Sequence, residues 1–213
     1  ITPLNVAPIV NDVTLEGDED ATLLIDAATL LAAATDPNGD KLRIATVGAA
    51  FKGKVWIGVD GNVRFLPDID FAGEAGFDFV ISDGNGGLTT ARALVSVRGS
   101  NDAPRIAIEG RTFTTFEDRP IDWLLPTGSI FDPDGDSLVV DARLSSGEPL
   151  PDWLTFAGNR FTGTPPSDFN GLLAIVLTAS DGNVTTSSNL TIEVLPINDA
   201  PRQVSVLADQ IFR

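Results

Sequence analysis

The sequence predicts an all-β protein: two tandem Greek-key β-sandwich domains in an elongated array. Three observations carry that expectation. A set of motifs repeats at one period, turn signals fall roughly every 8–12 residues, and short β-branched or alternating runs lie between them.

The repeat comes first because it sets the domain plan. Asn101-Asp102-Ala103-Pro104 recurs as Asn198-Asp199-Ala200-Pro201, and Asn5-Val6-Ala7-Pro8 is a weaker copy. Asp36-Pro37-Asn38-Gly39-Asp40 recurs as Asp132-Pro133-Asp134-Gly135-Asp136, a shift of 96. Glu19-Asp20 recurs as Glu117-Asp118, Asp70-Phe71-Ala72-Gly73 as Asp168-Phe169-Asn170-Gly171, and Ser82-Asp83-Gly84 as Ser180-Asp181-Gly182, each a shift of 98. The order of the motifs is the same in both copies. The expected domains are therefore 1–103 and 104–200, with 201–213 as the first strand of a third repeat. The linkers are short, and Pro104 fixes φ, so the joint reads as stiff.

Within a module the elements follow in order. Ala27 to Ala34, rich in Ala and Leu, reads as one short turn of helix. Lys54–Val59 and Val63–Leu66 flank Asp60-Gly61-Asn62 and read as a hairpin. Phe77–Ile81 and Ala93–Val97 read as strands around the turn Asp83-Gly84-Asn85-Gly86-Gly87. Leu173–Leu177 and Leu190–Val194 are their counterparts in the second module.

Composition removes several classes of function. The chain has 213 residues, with 14 Lys plus Arg against 30 Asp plus Glu, a net charge of −16. Nucleic-acid binding and attraction to anionic membrane surfaces both need clustered Lys and Arg and are not expected. No apolar run reaches the roughly 18 residues of a membrane span, so direct insertion is not expected. With no Cys and no His, zinc, haem and iron–sulfur ligation lack their ligands, and Ser-His-Asp and Cys-His catalysis lack a base or a nucleophile. Paired carboxylates remain for glycosidase chemistry, but the same acids recur once per module, which reads as architecture; no enzyme is expected. The chain starts at Ile1 without an initiator Met and is read as a segment of something longer.

The acids point to a hard cation. Of the 30, 23 are Asp and 7 are Glu, and Asp is both a turn former and a short oxygen ligand. Asp132-Pro133-Asp134-Gly135-Asp136 places three carboxylates on alternate residues of a turn, where they repel unless a cation sits among them. An EF-hand does not fit, because Gly135 is fourth in the loop and Arg143 is twelfth. The alternative, a solvated Asx turn, is disfavoured by the repeat. Asp36, Asn38 and Asp40 repeat this turn in the first module. Trp56, Trp123 and Trp153 could stack sugars, but core or interdomain packing is the expectation for each.

The motifs also carry a resemblance. Glu19-Asp20, Asp36–Asp40, Phe65–Gly73, Ser82–Gly87 and Asn101–Pro104 make the first module similar to the cadherin-like tandem repeats of large secreted bacterial adhesins. Leu150–Phe156, Phe161–Pro166 and Ala179–Gly182 make the second resemble a dystroglycan-type cadherin-like, immunoglobulin-like domain. The resemblance implies cadherin/immunoglobulin-like sandwiches on a cell surface, with Ca2+ at the junctions. The implied metal ligands are Glu19 with Asp20, linker Asn101 and Asp102, downstream Asp132, Asp134 and Asp136, and Asp181. The mid-domain acidic motif of cadherins is absent here, and Asp68-Ile69-Asp70 or Asp168 could only partly substitute for it. Asp36, Asp40 and Asp83 form the equivalent half-site upstream, and Glu117, Asp118, Asn198 and Asp199 its counterpart at the far end. Gly99 and Pro196 stand where the cadherin linker carries a further Asp, so one or two ions per junction are expected.

The expected function is a calcium-rigidified extender or adhesion segment of an extracellular, secreted surface adhesin. Its expected partners are neighbouring repeats of the same chain, and the protein is expected to be a monomer. A calcium-dependent module binding a polysaccharide or a surface protein is the alternative, and homophilic adhesion is a third.

Overall fold

Alternation of buried and exposed residues along long strands dominates the structure, a computed structural model that describes residues 4–200. The expected first strand of a third repeat, 201–213, lies outside the described residues. The chain divides into two compact units, Ile1–Asp102 and Ala103–Arg213.

In the first unit the strands are β1 (Ile9–Val10), β2 (Val13–Asp18) and β3 (Leu23–Ile25), then helix α1 (Ala27–Leu31). There follow β4 (Ala34–Thr35), β5 (Arg43–Phe51), β6 (Gly53–Ile57), β7 (Val63–Pro67), β8 (Gly73–Ser82) and β9 (Leu88–Arg98). One sheet runs β2-β9-β8-β5, with β2 parallel to β9. The facing sheet runs β3-β7-β6, and β1 pairs with β4. Period-2 patterning aims Phe77, Phe79 and Ile81 of β8 and Ala93, Val95 and Val97 of β9 inward, against Val63 and Phe65 of β7. Phe65 stacks on Phe77 across the two sheets with ring centroids 5.7 Å apart.

The expected short helix is present. Asp26 caps it by accepting from the Ala28 N–H at 2.9 Å, and Leu30 is fully buried from it. The expected hairpin is β6–β7, registered Lys54↔Leu66 and Trp56↔Arg64.

The second unit contains β10 (Arg105–Ile106), β11 (Arg111–Phe116), β12 (Ile121–Leu124), β13 (Ile130–Phe131) and β14 (Val139–Leu144). It continues with β15 (Leu154–Ala157), β16 (Arg160–Gly163), β17 (Gly171–Ser180) and β18 (Thr185–Leu195). Its sheets, β11-β18-β17-β14 and β12-β16-β15, repeat the topology, with β11 parallel to β18. Ile175 and Leu177 of β17, Leu190 and Ile192 of β18 and Phe161 of β16 fill a core of their own.

The three tryptophans separate. Trp123 stacks on Phe113 at 5.1 Å and Trp153 meets Phe169 edge-on at 5.3 Å, both against the second core. Trp56 departs from the packing expected of it: it is 40% exposed. Val55 takes the inward position on β6, so its neighbour faces out. No helix of the described residues is long and apolar enough to cross a membrane.

Candidate metal centres

Among the described residues, three groups of carboxylates, each within a single unit, bring ligand oxygens within 4.8 Å of one another: Asp36, Asp40 and Asp83; Asp20, Asp70 and Asp102; and Asp132, Asp134 and Asp136.

The first is built by the loop after β4, the β8–β9 turn and the segment before β1. Asp36 Oδ1 accepts the N–H groups of Asn38 at 2.8 Å and Asp40 at 3.1 Å, an Asx turn that folds the loop around the carboxylate. Gly39, at φ +81°, closes that turn. Asp36 Oδ2 is buried with no hydrogen-bond partner. Asp83 is 4% exposed, and its oxygens accept from the N–H groups of Asn85 and Gly87. Asn5 donates its amide to Asp83 Oδ2 at 2.7 Å, and the Val6 N–H donates to Asn38 Oδ1 at 2.7 Å. The Asn5 amide, then the backbone N–H groups, hold the Asp83 carboxyl below the usual carboxylate range. A Cβ on Gly87 would fall 2.1 Å from Asp83 Oδ2, so only glycine leaves that carboxylate in place.

The turn of the second unit repeats the first. Asp132 Oδ1 accepts from Asp134 at 3.0 Å and Asp136 at 3.3 Å, and its Oδ2 is buried without a partner. Asp181 differs from its counterpart Asp83. Its Oδ1 accepts the N–H groups of Asn183 and Val184, each at 2.6 Å, and among the described residues it joins none of the groups of three within its unit. The β17–β18 turn is shorter than the glycine-rich β8–β9 turn, and Val184 closes directly onto Asp181.

The remaining group collects at the β2–β3 turn. Asp20 (φ 56°) and Asp70 (φ 54°) both sit in the left-handed region that Asp tolerates better than most residues. Asp20 Oδ1 accepts the Asp70 N–H at 3.3 Å, and Asp102 joins them. Asn101 donates its side-chain amide to the Asp102 carbonyl at 3.1 Å. Beside them Glu19 is 5% exposed; Oε1 accepts from the backbone and hydroxyl of Ser100, and Oε2 is buried with no partner. The second unit carries the same device at its far end. Glu117 is 2% exposed, its Oε1 accepts the Ile197 N–H at 2.7 Å, and its Oε2 has no partner. Asp118 (φ 56°) and Asp168 (φ 64°) repeat the backbone of Asp20 and Asp70.

Buried carboxylate oxygens without donors are rare in folded proteins, since desolvating the charge is costly. Among the described residues Glu19, Asp36, Glu117 and Asp132 each carry one. All are carboxylate oxygens; those of Asp36 and Asp132 have further carboxylates within 4.8 Å in their own unit, and no His or Cys stands among them. That donor set fits a hard divalent cation such as calcium and does not fit zinc or copper. Residue reading expected Asn5 beside the Asp36 turn but had not singled out Ser100 or the Ser82 hydroxyl that accepts from Gly84 at 3.1 Å. The Ser-Asp-Gly repeat was the available signal for the last.

Comparison with known proteins agrees with the two-domain β-sandwich fold. Residues 4–98 match the profile of a cadherin-like domain, and residues 101–193 match that of a bacterial Ig domain. Among solved structures, mouse cadherin-23 EC22–24 is 15% identical, with a TM-score of 0.54 over 91% of this chain and 65% of that one. Human cadherin-23 EC21–23 is 14% identical, with a TM-score of 0.52 over 86% of this chain and 67% of that one. These likenesses show the fold. The endo-fucoidan hydrolase MfFcnA4 from glycoside hydrolase family 107 aligns at 21% identity and a TM-score of 0.41 over 90% of this chain. This chain spans only 29% of that enzyme's length. No curated protein matches the sequence.

Proposed function

From a chain in which a cadherin-like domain precedes a bacterial immunoglobulin domain, we propose a calcium-stiffened extender segment of a secreted bacterial surface adhesin. Domains of these two kinds typify extracellular and surface proteins, build adhesion and extender modules, and are typically non-catalytic. The finer reading gives the acids a task. Calcium at the linker fixes the direction in which one repeat follows the next.

The observation that carries it is the set of buried, unpartnered carboxylate oxygens on Glu19, Asp36, Glu117 and Asp132, repeated once per module. Glu19, Asp20, Asp70 and Asp102 would supply the ligands on the upstream side of a junction, and Asp132, Asp134 and Asp136 those on the downstream side. Asp36, Asp40 and Asp83 would serve a repeat that precedes. Bound calcium supplies positive charge that cancels carboxylate repulsion; the chain's own part is to hold the oxygens in place through the Asx turns and the linker N–H bonds.

Extracellular calcium modules bind at about 10⁻⁴–10⁻³ M. A ligand held only by the folded state stabilises it by about 2.7 kcal/mol at a hundred times its Kd. The test is a thermal melt in chelator and then in millimolar calcium, with small-angle scattering on the same samples. A raised midpoint and a narrower distribution of longer interatomic distances are expected with calcium. No response in either quantity would overturn the reading and return the Asp clusters to solvated turns.

A further inference from the structure

The outer face of the β3-β7-β6 sheet carries a feature the calcium reading leaves unused. The register places Leu24 beside Arg64 and Arg64 beside Trp56, so one row crosses all three strands. Leu24 is 58% exposed and Trp56 40%. Two residues along β6, Lys54 lies opposite Leu66 on the same face. Beside it is a depression of about 280 Å³ lined by Lys54, Leu66, Pro67, Asp68 and Ile69.

The polar part of the row is held rigid. Arg64 forks onto Asp60, Nη1 to Oδ1 at 2.8 Å and Nη2 to Oδ2 at 2.9 Å. Asn62 donates to both Asp60 oxygens at 3.3 Å. The pair rests on Gly58, where a Cβ would fall 1.6 Å from Arg64 Nη1. Two of the five guanidinium N–H groups are thereby used and three still point elsewhere. Neither Lys54 nor Asp68 forms an ion pair among the described residues.

We infer that this face binds an uncharged polysaccharide, one sugar ring stacking on Trp56 with its hydroxyls meeting Lys54, Arg64 and Asp68. An exposed indole offers a flat face whose negative quadrupole suits the C–H side of a pyranose. Hydroxyls both donate and accept, and the face offers both: ammonium and guanidinium N–H groups as donors, the Asp68 carboxylate as acceptor. The charges of Lys54, Arg64, Asp60 and Asp68 sum to zero. The chain as a whole carries −16, which repels a polyanionic glycan. Charge balance therefore selects a neutral one. The site uses none of the acids assigned to calcium, so its binding persists in chelator.

The test is native affinity electrophoresis of the full chain in gels holding laminarin, galactomannan, dextran or soluble starch, all with EDTA. Dextran sulfate and alginate serve as charged comparators. Retardation by at least one neutral polysaccharide is expected. Trp56→Ala should weaken it about tenfold or more, while Trp56→Phe keeps most of it. Lys54→Ala should weaken it severalfold. The melting midpoint of each variant, close to that of the parent chain, separates lost binding from lost folding. Four results would overturn the inference: no retardation by any neutral gel, retardation by the charged gels alone, retardation unchanged by Trp56→Ala, or self-association that buries Trp56 in the absence of sugar. Calcium-induced stabilisation is read separately, so failure here leaves the extender reading standing.

Discussion

Glu19 and Glu117 stand 98 positions apart and solve the same problem in the same way. Each is buried, each gives one oxygen to an N–H of the segment that leaves its module, Ser100 for Glu19 and Ile197 for Glu117, and each leaves the other oxygen without a donor. A single orphaned oxygen could be an accident of packing. The same one in both modules, where each Glu meets the segment leaving its module, is a repeated feature that supports the proposed cation sites.

Replacing that charge separates structure from ligation. Glu117→Gln keeps an acceptor for Ile197 and removes the buried negative charge. In chelator the variant should match the parent chain or exceed it, because a desolvated carboxylate is costly. In millimolar calcium it should fall behind by on the order of 1–2 kcal/mol, having lost a charged ligand. Paired melts in EDTA and in calcium decide it; a calcium gain identical to that of the parent would remove Glu117 from the ligand set.

The Asp132 turn allows the complementary experiment. Asp132→Asn retains Oδ1 for the N–H groups of Asp134 and Asp136 and should leave the chelated protein's stability nearly unchanged. Asp132→Ala loses both bonds and should cost about 1 kcal/mol even without calcium. Both should weaken calcium binding by titration calorimetry. Equal calcium affinity in the parent chain and in Asp132→Asn would make the turn purely architectural.

Much of this was legible in the residues, and the failures are as physical as the successes. The equivalence of Asp36 and Asp132 follows from the repeat, and their hydrogen bonds agree residue by residue. The β6–β7 hairpin followed from Asp60-Gly61-Asn62 between β-branched runs. The outward aim of Trp56 did not, because Val55, Trp56 and Ile57 are all apolar and alternation gives no parity to such a run. Burial of one oxygen of Glu19 beside Ser100 is a long-range contact across 81 positions, and no local pattern encodes it. The divergence of Asp181 from Asp83 hides in turn length, which shared Ser-Asp-Gly letters conceal.

The two cores should respond to truncation separately. Phe65 is fully buried and stacks on Phe77 in the first unit; Phe161 is fully buried against Phe156, 4.6 Å away, in the second. Phe→Ala at either site should cost about 3–5 kcal/mol. The two clusters share no residue. Calorimetry of Phe161→Ala should therefore show one lowered transition beside one at the parent's midpoint. A single transition lowered as a whole would mean that the units unfold as one.

The Arg64–Asp60 pair predicts a pH dependence that calcium does not touch. Hydrogen bonding from Arg64, then from Asn62, holds the Asp60 carboxyl well below its ordinary value of 3.8. A carboxyl whose pKa is depressed on folding adds stability that is complete above the unfolded value and disappears as pH falls through the folded one. Parent chain and Asp60→Asn should thus differ most near neutrality. The gap should begin to close below about pH 4 and narrow steadily as the medium becomes more acidic. Both side chains are partly exposed, so the gap should also shrink in about 1 M salt, where charges are screened within a few ångströms. Melts of both proteins across that range, in chelator, measure it. A gap that stays constant down to acid would show that Asp60 acts through packing over Gly58 and not through its charge.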